Sequence, residues 1–359
     1  MATVLMVGTR KGLWIGRSDD DRREWDFTGP HFDMEEVYSC LIDTRGERPR
    51  LLAGASSSWL GPQVRRSDDL GATWQETPGS VRFPEAHDAS VERIWQLVPG
   101  TEAGVVWAGT EPGAVWRSAD AGETFALVEG LWNHPHRTQW DAGYGGQAFH
   151  TVLPHPTDPG SVTAAISTGG VYQSADGGTT WAPRNTGIKA EFMPGEVQYP
   201  EFGQCVHKVA RHPSRPERMF LQNHGGVYRS EDHGASWHSI ADGLPSDFGF
   251  PVVVHPHDPD TVYVFPLGQA WARYPVDARP LVWRSHDAGD SWEPLGKGLP
   301  EQLWVGVMRD AMCTDAHPSA GVYVGARNGA VWASADSGES WQQVVANLPD
   351  VMCVRAAAV

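Results

Sequence analysis

Among the 15 histidines of this 359-residue chain, two occupy matching places. His150, in Phe149-His150-Thr151-Val152, and His207, in Val206-His207-Lys208-Val209, each precede a His-Pro pair by five residues, at His155-Pro156 and His212-Pro213. Phe250 holds the same place before His255-Pro256. A third histidine, His224, follows in Asn223-His224-Gly225-Gly226. Strands that carry His150 and His207 side by side would let the two imidazoles face one another, with Asn223 and His224 entering from a nearby turn. Two chemistries suit such a group. One is general acid–base work, with a carboxylate setting tautomer and pKa. The other is metal binding by neutral imidazoles. No local metal-ligand spacing accompanies these histidines, so the expected site is written without a metal, and its cofactor stays open.

Carboxylates and indoles complete the candidate set. Glu36 and Glu92 begin apolar, strand-like runs, which would mount them rigidly. Glycoside hydrolysis needs two carboxylates flanking the bond, about 5 Å apart for retention or about 6.5–9.5 Å for inversion. Arg93, beside Glu92, suits an anionic substrate group. Of the 17 tryptophans, Trp59, Trp95, Trp132, Trp140, Trp271 and Trp304 fall outside the repeating positions described next. Indole walls suit sugar faces or other planar ligands. The expected catalytic set is His150, His207, Glu36 and Glu92. The expected substrate-binding set is Trp59, Arg93, Trp132, Trp140, Asn223 and His224.

The elements that must position these residues follow from a repeat. The pattern Ser-x-Asp-x-Gly-x-Thr/Ser-aromatic reads Ser67-Asp69-Gly71-Thr73-Trp74 and returns as Ser118 to Phe125, Ser174 to Trp181, Ser230 to Trp237, Ser285 to Trp292 and Ser334 to Trp341. A degenerate copy, Ser18-x-Asp20 to Trp25, lacks the glycine. The terminal aromatics are 49, 51, 56, 56, 55 and 49 residues apart. Aspartate closes such a turn by accepting from backbone N–H groups, and glycine supplies positive φ without steric cost. Each copy therefore reads as a hairpin tip with a structural role. A strand such as Gly226-Val227-Tyr228-Arg229-Ser230 precedes each tip, and a further strand and a His-Pro turn lie upstream.

Four antiparallel strands per roughly 50 residues are the signature of a β-propeller blade. The chain begins with what reads as a second strand, Thr3–Gly8, and ends with a first strand, 351–356. The expected fold is all-β: one seven-bladed propeller over residues 1–359, with the C-terminal strand completing the N-terminal blade. Long loops at 75–91, 126–147, 182–203 and 266–281 fall on the face opposite the hairpin tips, and long loops in compact folds usually carry function.

Composition narrows the classes. A net charge of −16 offers no footprint for a phosphate backbone, which argues against nucleic acid. No apolar run approaches the length of a membrane helix. The start, Met1 to Arg10, lacks a secretion signal's basic leader. Cys40, Cys205, Cys313 and Cys353 show no CxxC spacing and read as free thiols in apolar strands, consistent with a cytoplasmic protein. The expected partner is a small-molecule or carbohydrate ligand. Oligomeric state is not set by the sequence.

The repeats resemble the Asp-box, or BNR, repeats of sialidases, sortilin-type receptors, reducing-end-specific xyloglucanases and photosystem II assembly factors. The whole chain resembles bacterial WD40/YVTN/BNR-like repeat proteins, some of which are described as glycosyl hydrolases. Sialidases share a Phe/Tyr-Arg-Ile-Pro motif near the N-terminus and usually have six blades. Here Val81-Arg82-Phe83-Pro84 is a faint echo in a loop. The resemblance thus implies a carbohydrate-active or related small-molecule hydrolase that is not a true sialidase, or else a non-catalytic protein- or ligand-binding scaffold.

Overall fold

A computed structural model describes residues 2–77, 80–143 and 145–359. These form seven four-stranded antiparallel sheets arranged as the blades of a β-propeller. Blade 1 is composite. Its innermost strand, Val351–Ala358, pairs with Thr3–Thr9, aligning Thr3 with Ala358 and Gly8 with Cys353. Gly12–Ser18 and Asp26–His31 complete it. The innermost strands of blades 2 to 7 are Glu36–Asp43, Arg93–Pro99, Phe149–Pro154, Val206–Arg211, Gly249–Val254 and Met312–Thr314. Apolar side chains fill the spaces between sheets. Trp116, Tyr172, Tyr263 and Tyr323 are fully buried there. Among the described residues no helix is long and apolar enough to cross a membrane.

The hairpin tips explain the repeat atom by atom. In blade 5 the Ser230 hydroxyl donates to Asp232 Oδ1 at 2.7 Å and accepts from Gly234 N at 2.8 Å. Asp232 then accepts from the Ser236 amide at 2.9 Å and the Ser236 hydroxyl at 2.6 Å. The same bonds recur around Asp69, Asp120, Asp176, Asp287 and Asp336. The glycines sit at φ between 84° and 98°. The residue before each glycine is left-handed as well, including Leu70, Ala121, His233, Ala288 and Ser337. Two successive left-handed residues are needed, and glycine removes the side-chain penalty at the second.

The degenerate first copy turns by other means, with one left-handed residue. Arg22 occupies the glycine position at φ 55°. Its guanidinium is buried against Asp315 of blade 7, with Nη1 2.9 Å from Oδ2, and also donates to Ser319 O and Ala335 O. This buried ion pair, made through both Nη atoms, offsets the left-handed backbone and fastens the composite blade to its neighbour.

Three outcomes follow. Removing residues 351–359 should expose the edge of Thr3–Thr9 and lower the urea midpoint sharply; an unchanged midpoint would show that closure is dispensable. Ser230→Ala should cost about 1–3 kcal/mol in urea unfolding, because it strands the buried Gly234 N–H. Finally, hydrogen bonds led by the hydroxyls of Thr73, Thr180 and Ser291 hold Asp69, Asp176 and Asp287 down to about 2. An unfolded aspartate titrates near 3.9. These depressed folded values stabilise the protein above about pH 4, and that contribution is lost as pH falls toward about 2. Unfolding curves taken across that window should show the loss, and Asp176→Asn should flatten it.

Candidate functional site

The site originates in a defect shared by the inner strands. Pairing with the second strand slips between Val37 and Ser39, Ile94 and Gln96, Phe149 and Thr151, Val206 and Lys208, and Gly249 and Val252. Tyr38, Trp95, His150, His207 and Phe250 are therefore left out of the ladder. A β-bulge turns the extra residue's side chain away from its strand's regular alternation, here toward the axis of the ring. Met352 is the skipped residue of blade 1.

Around these residues lies a cavity of about 610 Å³ at the channel mouth opposite the hairpin tips. Tyr38, Trp95, His207, Phe250, Arg309 and Met352 each contribute from a different blade or its approach. The aromatic rings pack closely, with Tyr38 and Trp95 centroids 4.8 Å apart and His207 stacked on Phe250 at 4.7 Å.

Five arginines line the cavity: Arg10, Arg93, Arg273, Arg309 and Arg327. Three are neutralised. Arg10 pairs with Glu36 and Asp350, Arg327 with Asp350, and Arg93 with Glu36 and Glu111. Arg309 differs. It is 6% exposed, and no carboxylate pairs with it among the described residues. Its Nε and Nη1 are buried without an acceptor. Its guanidinium lies 5.1 Å from the Trp95 centroid and 5.9 Å from that of Phe250. Among the described residues the Arg273 guanidinium donates to the Ala270 carbonyl alone, and it lies 5.8 Å from the Phe250 centroid.

The histidines divide into two roles. His150 is fully buried behind the wall. Its Nε2 donates to Val206 O at 2.8 Å and its Nδ1 accepts from the Thr151 hydroxyl at 3.0 Å, so both nitrogens are used. His207 lines the cavity. Its Nδ1 must donate to the Gly249 carbonyl at 2.6 Å, which turns the Nε2 lone pair toward the Cys205 thiol, a weak donor at 3.7 Å. The His224 ring is 5.5 Å from that of His207. Burial first, then the Arg309 charge, pulls His150 and His207 well below the usual histidine range. Burial, then Arg273, lowers His224. Burial also raises the Cys205 thiol. All three imidazoles are neutral at neutral pH, and the thiol keeps its proton.

The other expected site residues are dispersed. Glu36 accepts from Arg10 at 3.0 Å and Arg93 at 3.3 Å and is not a cavity wall. Glu92 points to solvent, 62% exposed. The carboxylate that does enter the wall is Glu111, held by Arg93 and by Trp95 Nε1, each at 3.0 Å. Asn223 is buried, donating to Lys189 O at 3.1 Å. Trp132 is enclosed by Phe83 and Arg137 and donates to His87 Nδ1. Trp140 donates to the Tyr172 hydroxyl at 2.9 Å inside blade 4. Trp59 is 91% exposed in the loop between the second and third strands of blade 2. Sequence reasoning missed Cys205 and Arg309. Cys205 lies two residues before His207, a same-face spacing on an extended strand, and that was the available signal. Arg309 lies in the approach to a short inner strand and carried none.

No known family's sequence profile matches the chain, and no curated protein matches it. Solved structures do. YCF48 bound to D1 peptide is similar at TM-score 0.51 and 15% identity, over 86% of this chain and 82% of that one. YCF48 from Cyanidioschyzon merolae gives 0.52 and 12%, over 86% and 84%. A Bacteroides uniformis protein described as a 6-phosphogluconolactonase gives 0.57 and 11%, over 99% of both chains. At these identities the likeness is one of fold, and the chain is a seven-bladed β-propeller of the architecture these proteins share.

Proposed function

We propose that this protein binds a sugar-sized small molecule bearing a carboxylate or phosphate at the channel mouth and acts on it as a hydrolase. The observation that carries the reading is Arg309. A buried guanidinium with unanswered N–H groups costs several kcal/mol, and a bound anion would supply the missing acceptors. The cavity volume falls in the range of small-molecule sites, and Tyr38, Trp95 and Phe250 offer faces for a ring. Glu36 and Glu111 are both engaged by Arg93, so a paired-carboxylate glycosidase is the less favoured hydrolase. A phosphorylated or acidic sugar, or its lactone, fits better, and the neighbour described as a 6-phosphogluconolactonase agrees in substrate class. The bonded Ser-Asp-Gly turns support placing the chain with the Asp-box repeat proteins. Its four free cysteines suit a reducing, cytoplasmic setting.

A second reading has its own observation. All eight exposed large apolar side chains among the described residues, Trp59, Trp271 and Trp304 included, lie in loops of this same face. An apolar rim of this kind suits a protein partner, as the peptide-bound YCF48 neighbour illustrates.

Arg309→Met separates the readings. Thermal-shift and turnover panels of sugar acids, phosphosugars and lactones should yield a ligand for the native protein. The variant should weaken that ligand by at least about thirtyfold, ~2 kcal/mol. Its melting temperature should hold or rise, because an unpaired buried charge is gone. A destabilised variant, or a panel without a hit alongside capture of a peptide by the rim, would overturn the small-molecule reading.

A further inference from the structure

We propose that Cys205, His207 and His224 form a three-ligand site for one zinc-class transition-metal ion, open on its fourth side to the cavity. One ligand atom from each residue lies within 4.8 Å of the others. Tetrahedral zinc, with bonds of about 2.3 Å to sulfur and about 2.0–2.1 Å to nitrogen, spaces its ligands roughly 3.3–3.6 Å apart. Cys205 Sγ and His207 Nε2 are already at 3.7 Å. The two distances to His224 must shorten from at most 4.8 Å, by a turn of its half-buried ring among Phe192, His207 and Phe248. Neither of its nitrogens has a hydrogen bond among the described residues.

Blade 5 supplies all three ligands and fixes their relation through the backbone. Cys205 and His207 straddle the start of its inner strand. His224 sits in the hairpin after its second strand, and the His224 amide donates to the Cys205 carbonyl at 2.9 Å. The bond from His207 Nδ1 to Gly249 O is the outer-shell contact that metal-binding histidines commonly make, and it aims the Nε2 lone pair. Thiolate and two imidazoles suit zinc and its softer neighbours over calcium or magnesium, which prefer oxygen.

Charge then specifies the fourth ligand. Metal binding expels the Cys205 proton to solvent, and a dication on one thiolate and two neutral imidazoles carries one net positive charge. Arg309 and Arg273 face the same space as two more cations. Glu191 and Asp247 act on the site from the His224 side, and the wall carboxylate Glu111 is paired with Arg93. A cluster so positive calls for an anion at the open position. A carboxylate or phosphate bridging the metal and Arg309 meets that need. The metal claim stands apart from the proposed function, and only the identity of this bridging anion rests on it.

The test uses full-length protein stripped with a chelator and titrated with Zn²⁺ and with Co²⁺. One ion per chain should bind with release of a proton, and the cobalt form should show a thiolate-to-metal charge-transfer band. Cys205→Ser should abolish that band. Cys205→Ser and His224→Ala should each weaken binding by at least about tenfold, while Cys313→Ser, a buried thiol elsewhere, should leave it unchanged. The His224 variant removes a ring with no hydrogen bond, so it remains informative if the cysteine variant folds poorly. Arg309→Met should still bind the metal, whereas anion binding by metal-free native protein would persist even if no metal bound. No bound ion, or affinity that survives both ligand variants, overturns the proposal.

Discussion

Blade 1 has its full four strands only when the end of the chain returns to its start, and the pairing of Val351–Ala358 with Thr3–Thr9 covers what would otherwise be a bare inner edge. More than the edge depends on it. The closing strand also carries Arg355, whose Nη2 lies 2.5 Å from Asp310 Oδ1. Lys208 reaches the same oxygen at 2.7 Å. Asp310 of blade 7 thus draws cations from blades 1 and 5 together beneath the cavity, and it forms a parallel bridge with Cys353. Asp310 stays ionised despite its burial because these two cations more than offset the desolvation. Arg309, one residue earlier, is held at the cavity by this anchoring, with its own charge left unanswered.

The blades themselves rest on one local device, used at both ends of its tolerance. Six tips use glycine where the backbone must be left-handed, and their carboxylates are fully occupied by turn amides and hydroxyls. The first tip uses Arg22 instead. The ion pair with Asp315, which also accepts from Tyr323 at 2.6 Å, holds that strained backbone from outside the turn. The degenerate copy is thus the place where the repeat trades a local solution for a contact between blades.

What could be read in the sequence divides along the same line. Blade number, closure and tip geometry follow from a spacing repeated six times, since local bonds within a dozen residues specify each tip. The matched positions of His150 and His207 were equally legible, because both are set by distance to a His-Pro turn. What those positions do was not legible. The same bulge delivers His207 to the cavity and His150 to a pair of hydrogen bonds behind it, and only the neighbouring strand decides which. Trp132 and Trp140 were expected as walls because they lie in long loops, yet those loops fold back and enclose them. Arg309 and Cys205 owe their significance to what is missing around them, and a missing partner leaves no mark in a sequence.

The two faces of the ring leave different polar groups unmet. On the tip face, each box aspartate accepts two or more hydrogen bonds, while Arg22 Nε and the indole N–H groups of Trp74 and Trp341 are buried without partners. On the opposite face, Arg309 Nε and Nη1 are buried without an acceptor, His207 Nε2 meets only the weak Cys205 thiol at 3.7 Å, and the half-buried His224 ring makes no hydrogen bond among the described residues. The large exposed apolar side chains gather there too. Unmet polar groups in a buried wall lower stability, and proteins retain such groups mainly where activity depends on them. The deficit has a definite chemistry: cationic donors on one side of the cavity and soft, neutral lone pairs on the other, separated by aromatic faces. A molecule that meets both must present an anionic oxygen and a flat or apolar ring within one cavity of about 610 Å³.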